Sequence, residues 1–189
     1  MSLSFLSNTS TIFFDTLLIE KQIKLKYPQV KKVSFTRLFP ATLVVGLSFY
    51  TPLAQIVQPS NTIVLGENTT VLKVNKKEDE RLPRIYYYQL LPQHEQKKGF
   101  VITRQDIVYA FTVLQQHRKF GLRFNTITIA RPGHFSFTDE EKKLTVLLSS
   151  QKTIDKNAEF VHNSVKGLTV KGIKPRIINV EFDQPIITL

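Results

Sequence analysis

The pattern of apolar and polar positions predicts a loop or a frayed strand over residues 1–11, then a helix and a hairpin. Between residues 16 and 26 apolar side chains recur at helical spacing, and Asp15 stands where it can cap the first turn. Val33 and Phe35 then alternate with polar residues, the period of a half-buried strand. A second alternating strand has one apolar face, formed by Leu43, Val45, Leu47 and Phe49. Pro40 lies in the connection and has no amide hydrogen to donate, so strand pairing is expected to pause there.

Strand and helix patterns alternate through the rest of the chain. Two apolar runs between residues 62 and 74 flank a short glycine-containing loop, which indicates a hairpin. A helix, a glycine and a strand then occur twice in the same order, around Gly121 and around Gly172. Such a repeat suggests two helices laid on one sheet. The sequence therefore predicts an α+β fold. Residues 1–57 are expected to pack a helix on a β-hairpin, and residues 58–189 to form a mostly antiparallel β-sheet domain with two helices.

Composition and charge narrow the class of protein. An apolar fraction of 42% over 189 residues indicates a folded chain with a real core. The absence of cysteine excludes disulfides and cysteine-based zinc sites. A formal charge of +11 suits an acidic partner, nucleic acid or an anionic membrane surface, although scattered lysine doublets fit a solvated surface equally well. No apolar run approaches the roughly 20 residues of a membrane-spanning helix.

The sequence offers no constellation of catalytic or metal-binding residues. Its four histidines stand in four separate segments, without metal-ligand spacing: His94, His117, His134 and His162. Acidic residues 139–141 lie beside two lysines at an expected hairpin tip, which is typical of a solvated turn and not of an acid/base pair. We therefore predict no catalytic residues, no cofactor and no metal site.

Three consecutive tyrosines, Tyr86, Tyr87 and Tyr88, form the most unusual local composition. Aromatic side chains beside Arg84 could stack nucleobases. Consecutive residues of a strand face opposite sides, however, so the run makes a poor stacking platform. A structural role is the favoured interpretation.

The first hairpin carries an ordered set of residues at its turn and exit. The turn combines Arg37, Phe39, Pro40, Thr42 and Leu43, and the exit reads Pro52-Leu53-Ala54. In this order they resemble the POTRA domain of the FtsQ/DivIB family, whose turn has the form Arg-x-(aromatic)-Pro-x-Thr-Leu. Phe49 and Tyr50 depart from the family, which usually has Glu-Arg at these positions.

The second domain carries matching elements. Leu82-Pro83-Arg84-Ile85 is similar to the Leu-Pro-x-(aliphatic) element of the family's β domain, and residues 179–185 fit the frame of its last strand, with Glu181 reversing the usual charge. The resemblance spans most of residues 12–187. It implies a POTRA-like first domain followed by an FtsQ/DivIB-type β domain.

The resemblance also implies a function. FtsQ/DivIB proteins are non-enzymatic scaffolds of the bacterial cell-division machinery, and their β domain binds FtsB/DivIC and FtsL through a C-terminal edge strand. The family is anchored in the cytoplasmic membrane, with these domains on the extracytoplasmic face. Its anchor and the first strand and helix of POTRA would precede Ile12, so the resemblance implies that the chain is N-terminally truncated or that its start is misplaced.

The edge strand is expected between Arg176 and Phe182. A sheet edge with unpaired amides is a template to which an extended partner segment can add as a further strand. Gln184-Pro185 would limit such extension, because proline cannot continue the ladder. The partner-binding candidates are Arg176, Ile178, Val180, Glu181, Phe182 and Gln184.

The charge leaves one alternative from another class, a basic nucleic-acid-binding module. Such a module would bind with an affinity that falls steeply with salt, because phosphate contacts release counterions.

Overall fold

The computed structural model describes residues 15–39, 42–151, 153–182 and 184–189. Pro40 and the residues before Asp15, including Ile12, lie outside these ranges. The chain divides into two compact units between Thr51 and Pro52. We call them the small unit and the large unit. Both combine helix and sheet, so the predicted α+β class is confirmed.

The small unit packs one helix on a two-stranded sheet. Its elements are α1 (Thr16–Lys26), β1 (Val30–Leu38) and β2 (Thr42–Phe49). Asp15 caps α1, because its Oδ1 accepts the amides of Leu17 and Leu18 at 3.0 and 3.2 Å. The strands pair antiparallel. The buried side chains are Ile19, Ile23, Val30 and Val33.

Nine strands of the described chain form one sheet in the large unit, with two helices. Their bounds are β3 (Pro52–Val57), β4 (Thr62–Gly66), β5 (Val71–Asn75), β6 (Arg84–Tyr87), α2 (Gln105–Lys119), β7 (Thr126–Arg131), β8 (His134–Asp139), β9 (Leu144–Ser149), α3 (Ile154–Val170), β10 (Ile177–Asn179) and β11 (Ile186–Thr188).

The order of strands across this sheet is β11-β10-β9-β8-β7-β6-β3-β4-β5. Most neighbours are antiparallel, but β3–β6, β6–β7 and β9–β10 are parallel. Helix α2 connects β6 to β7 and helix α3 connects β9 to β10, since parallel neighbours need a long crossover. The sheet therefore ends in β5 on one side and in β11 on the other.

The unit boundary lies earlier in the chain than the predicted end of the first domain at residue 57. Strand β3, Pro52–Val57, pairs antiparallel with β4 and parallel with β6. These six residues thus belong to the large sheet. Its buried Gln55 side chain also holds the following loop, because Nε2 donates to the carbonyl of Asp79 at 2.6 Å and Oε1 accepts the Asp79 amide at 2.9 Å.

Both helices of the large unit end in the same way. Gly121 and Gly172 follow α2 and α3 with φ of +74° and +73°, a conformation that glycine adopts without steric cost. One residue later, an amide donates back into the last turn in each case, Leu122 to His117 and Ile173 to Leu168. The predicted helix–glycine–strand repeat is therefore a repeat of helix-capping geometry.

The core of the large unit lies between its two helices and its sheet. Helix α2 contributes Ile107, Phe111 and Leu114, whereas α3 contributes Ala158 and Val161. The two helices contact each other, and Gln116 donates to Asp155 at 2.8 Å. α3 contains Asn157 and Gly167, which are poor helix formers, so packing on the sheet stabilises it.

Candidate functional site

The C-terminal margin of the large sheet consists of β9, β10 and β11. Strand β10 pairs parallel with β9 and antiparallel with β11. It is three residues long and lies inside the sheet. The segment that the sequence predicted as the edge strand, Arg176 to Phe182, is therefore not the edge. Gln184 and Pro185 do not end the sheet either, because the chain turns back there and returns as β11.

Two of the predicted partner-binding residues are core residues. Ile178 and Val180 are fully or almost fully buried. Ile178 stands between Val146 of β9 and Ile187 of β11, and the Val180 amide donates to Leu147 at 2.9 Å. Their side chains cannot face a partner, because period-two alternation directs them toward the helices.

Two others are engaged by the chain itself. The Arg176 amide donates to the carbonyl of Thr188, and its own carbonyl accepts the amide of Thr145. The Glu181 carboxylate lies 2.8 Å from Nδ1 of His134 at the start of β8. These contacts fix the residues that directly precede and follow β10 against the sheet.

Phe182 and Gln184 remain exposed, in the turn that leads into β11. More than half of the Phe182 side chain is accessible. Both residues therefore border the edge strand without belonging to it.

Strand β11 is the outermost strand, and we name its outer side the C-terminal edge. No strand among the described residues pairs with it on that side. It is apolar and accessible, with Ile186 54%, Ile187 37% and the following Leu189 64% exposed. The signal for it in the sequence is the run Ile186-Ile187-Thr188 after a proline, three β-branched residues that favour a strand.

The register gives each side chain of the edge a face. Ile187 is directly opposite Ile178, so it lies on the face of the sheet that carries the core. Ile186 and Thr188 are opposite Asn179 and Ile177, on the other face. A further strand added outside β11 would find an apolar residue on each face.

No protein-family model matches this chain, and no curated protein is significantly similar to it.

The three consecutive tyrosines lie in and just after β6 of the large unit. Tyr87 packs against the core, whereas Tyr86 and Tyr88 are partly exposed. Hydrogen bonding with Tyr87 raises the pKa of Tyr88 to about 12, and the Tyr88 hydroxyl donates to Asp106 at 3.3 Å. The predicted alternation fails for Tyr87 and Tyr88, because their ring centroids lie only 4.6 Å apart, with the ring planes tilted by 59°. Strand β6 ends at Tyr87, so Tyr88 no longer follows the strand pattern. The tilt between the two rings gives no flat platform for a stacked base.

Arg104 and Glu95 hold the long loop before α2. Two nitrogens of the guanidinium group donate to the two oxygens of the carboxylate, each at 2.9 Å. This hydrogen bonding lowers the pKa of Glu95 and raises that of Arg104. Such bidentate geometry is directional and orders the loop.

A cavity of about 670 Å³ lies where β6 and β7 begin. Four basic and four acidic side chains line it: Arg81, Arg84, Arg118, Arg123, Glu80, Asp139, Glu140 and Glu141. Several are engaged with each other or with neighbours, as in the contact of Arg84 with Glu140 at 2.9 Å. The balance of charge favours neither an anionic nor a cationic ligand.

The four histidines belong to different elements and loops of the large unit. His94 is in the loop before α2, His134 contacts Glu181, and the His162 ring lies 5.0 Å from the ring of Phe120. Within the described ranges no three His, Cys, Asp or Glu side chains are grouped as a metal would require. The same ranges include no helix long and apolar enough to cross a membrane.

His117 differs from the other three, because it lies on the buried side of α2, in its last turn. Its ring meets that of Phe124 edge-on at 5.1 Å, and neither ring nitrogen has a hydrogen-bond partner among the described residues. Burial lowers the pKa of His117 to about 4. The side chain is therefore a neutral core residue at physiological pH.

Proposed function

We propose that this chain is a non-enzymatic scaffold that binds an extended segment of a partner protein by strand addition at the C-terminal edge. The observation that carries the proposal is β11, an apolar outermost strand without a neighbour on its far side in the described structure. Unpaired backbone groups on such an edge give affinity, and alternate side chains give specificity. The site is thus a backbone ladder and not a pocket.

The resemblance of the sequence to the FtsQ/DivIB family suggests where such a scaffold would act. It supports a role in the bacterial cell-division machinery, with FtsB/DivIC- and FtsL-like proteins as partners. It likewise supports a place on the extracytoplasmic face of the cytoplasmic membrane. The open edge agrees with that family's mode of binding, although the strand involved is β11 and not the segment around Ile178.

A calorimetric titration tests the proposal. The full chain is titrated with a peptide from the FtsB/DivIC-like protein of the same genome, first as wild type and then as Ile186→Lys. A charged residue on an edge strand opposes the addition of a further strand, so we expect binding to weaken at least tenfold. Val74→Lys is the matched control, because Val74 is 42% exposed on β5, at the opposite end of the sheet.

A second variant separates β11 from the preceding turn. Phe182→Arg with Gln184→Lys changes the exposed turn and leaves β11 intact. A loss confined to this variant would place the contact in the turn and contradict strand addition at β11. Equal losses in the Ile186 and Val74 variants, or no binding by the wild type, would contradict the scaffold proposal itself.

A further inference from the structure

Helix α1 of the small unit has two apolar faces. Ile19 and Ile23 are buried against the hairpin. On the outside, Leu17 is 76%, Leu25 73% and Leu18 59% exposed. With 3.6 residues per turn, Leu17 and Leu25 point within about 40° of the direction opposite the buried pair, and Leu18 within about 60°. A helix that packs on one side of a sheet needs one apolar face, so packing among the described residues of the unit does not explain the outer leucines.

Lysines are set among these leucines. Lys21 lies at the centre of the outer face, and Lys24 at its side, where it contacts Glu20 at 2.7 Å. Leu17, Glu20, Lys21, Lys24 and Leu25 together line a shallow groove. The described part of the small unit has six basic and two acidic side chains, a formal charge of +4. The surface is therefore apolar and cationic at once.

We propose that the outer face of α1 docks on an anionic lipid bilayer. A helix that lies in the plane of a membrane inserts its leucines at the boundary of the acyl chains and gains from basic residues near anionic headgroups. A lysine at the centre of the face argues for lipid over a protein partner, because lysine is depleted from the cores of protein interfaces and its ammonium would lose its water there. Mobile headgroups can instead arrange around the ammonium while the stem of Lys21 contacts apolar groups.

This site is independent of the C-terminal edge. It lies in the other unit, and its residues take no part in the large sheet. Either proposal can fail without the other.

Co-sedimentation of the full chain with lipid vesicles tests the inference. The vesicles contain phosphatidylcholine, either alone or mixed with phosphatidylglycerol. We expect tighter binding to the anionic vesicles and a loss of about tenfold in Leu17→Gln/Leu25→Gln. Lys21→Glu changes the charge by two, so at about fivefold per charge near the surface we expect a loss of about 25-fold. Glutamine and glutamate keep the helix propensity close to that of leucine and lysine.

Matched variants distinguish docking from general adhesion of a basic protein. Leu90→Gln changes a leucine that is 68% exposed in the large unit, and Lys156→Glu makes the same charge change on α3. We expect both to bind as the wild type does. Losses in these controls equal to those of the α1 variants would overturn the proposal, as would equal binding to neutral and anionic vesicles. A lipid-free sedimentation experiment in which Leu17→Gln/Leu25→Gln abolishes self-association would overturn it in favour of a second copy of the chain.

Discussion

The two ends of the large sheet are built differently. At one end, residues 99–101 cover part of β5: the Val71 amide donates to Phe100, the Gly99 amide donates to Val71, both at 2.8 Å, and Thr70 forms a bridge with Val101. At the other end, β11 has no such cover among the described residues. One edge is thus partly closed by the chain's own loop, and the other is available.

The side chains at the two ends of the sheet also differ in charge. The uncovered part of β5 and the residues after it carry Lys73, Lys76 and Lys77. β11 instead carries Ile186, Ile187 and no charge. Covered strands and edge lysines are the usual protection of a sheet against unwanted pairing. Because the described residues protect one edge in both ways and the other in neither, the comparison supports a binding role for the C-terminal edge.

Lowering the pH is expected to change the free energy of unfolding most, because it acts on the core that both edges share. His117 is buried and neutral, with its pKa lowered from 6.5 to about 4. The unfolded chain therefore binds a proton that the folded chain does not between these values, so stability falls as pH decreases from about 6.5 to about 4. One such group lowers the free energy of unfolding by up to about 3 kcal/mol. Urea denaturation across this pH range measures the loss.

The His117→Leu variant tests the source of the pH dependence. It removes the titrating group and its unpartnered nitrogens, so we expect a flatter profile and higher stability in acid. Hydrogen exchange then sharpens the comparison between the edges. The opening free energy of the covered Val71 amide should follow the global loss, whereas that of the β11 amides should change little, because a frayed edge opens locally. An unchanged pH profile in His117→Leu would show that other groups dominate.

The cover over β5 can be weakened by a substitution at Thr69. This residue is buried with φ of +63°, and its hydroxyl donates to the carbonyl of Ile102 at 2.7 Å. Thr69→Val keeps the shape of the side chain and leaves a carbonyl without this donor, at a cost of about 1–3 kcal/mol. We expect faster exchange of the Val71 amide and no change at β11. Equal acceleration at both edges would contradict a local cover.

Removing β11 moves the open edge inward by one strand. Truncation after Gln184 deletes residues that are largely exposed, so we expect to lose only about 1–2 kcal/mol from partial burial of Ile187 and the Arg176–Thr188 hydrogen bond. The amides of Ile177 to Asn179 should then exchange faster while that of Val71 is unchanged. A loss comparable to unfolding would mean that β11 is an integral part of the core.

Elements with strong periodicity could be predicted from the sequence. The helix at Thr16–Lys26, the first hairpin and the capping roles of Gly121 and Gly172 follow from local rules of spacing, pairing and backbone conformation. The α+β class followed from these elements. Parallel pairing did not, since β3–β6 depends on contacts between distant segments that leave no local pattern.

The sequence predicted that a strand near the C-terminus would form an edge of the sheet, but it did not show which strand is outermost. The sequence indicated a strand near the C-terminus, and the alternation of Ile178 and Val180 is the ordinary signature of such a strand. A strand is the last in its sheet only if no other segment of the chain folds back beside it. In this chain three residues after Pro185 are enough to displace β10 into the interior. Very short strands fall below the length at which periodicity carries information.

The smallest expected effect on stability gives the sharpest comparison of the edges. Ile186→Lys and Val74→Lys each place one lysine on an exposed position of an outer strand, so both should change the free energy of unfolding by no more than about 0.5 kcal/mol. Their effects on self-association should differ. An apolar open edge can pair with another copy at high concentration, and Ile186→Lys should suppress this, whereas β5 is already covered and lysine-rich. Sedimentation velocity over a concentration series measures it: suppression by both variants alike would mean that the two edges are equally open.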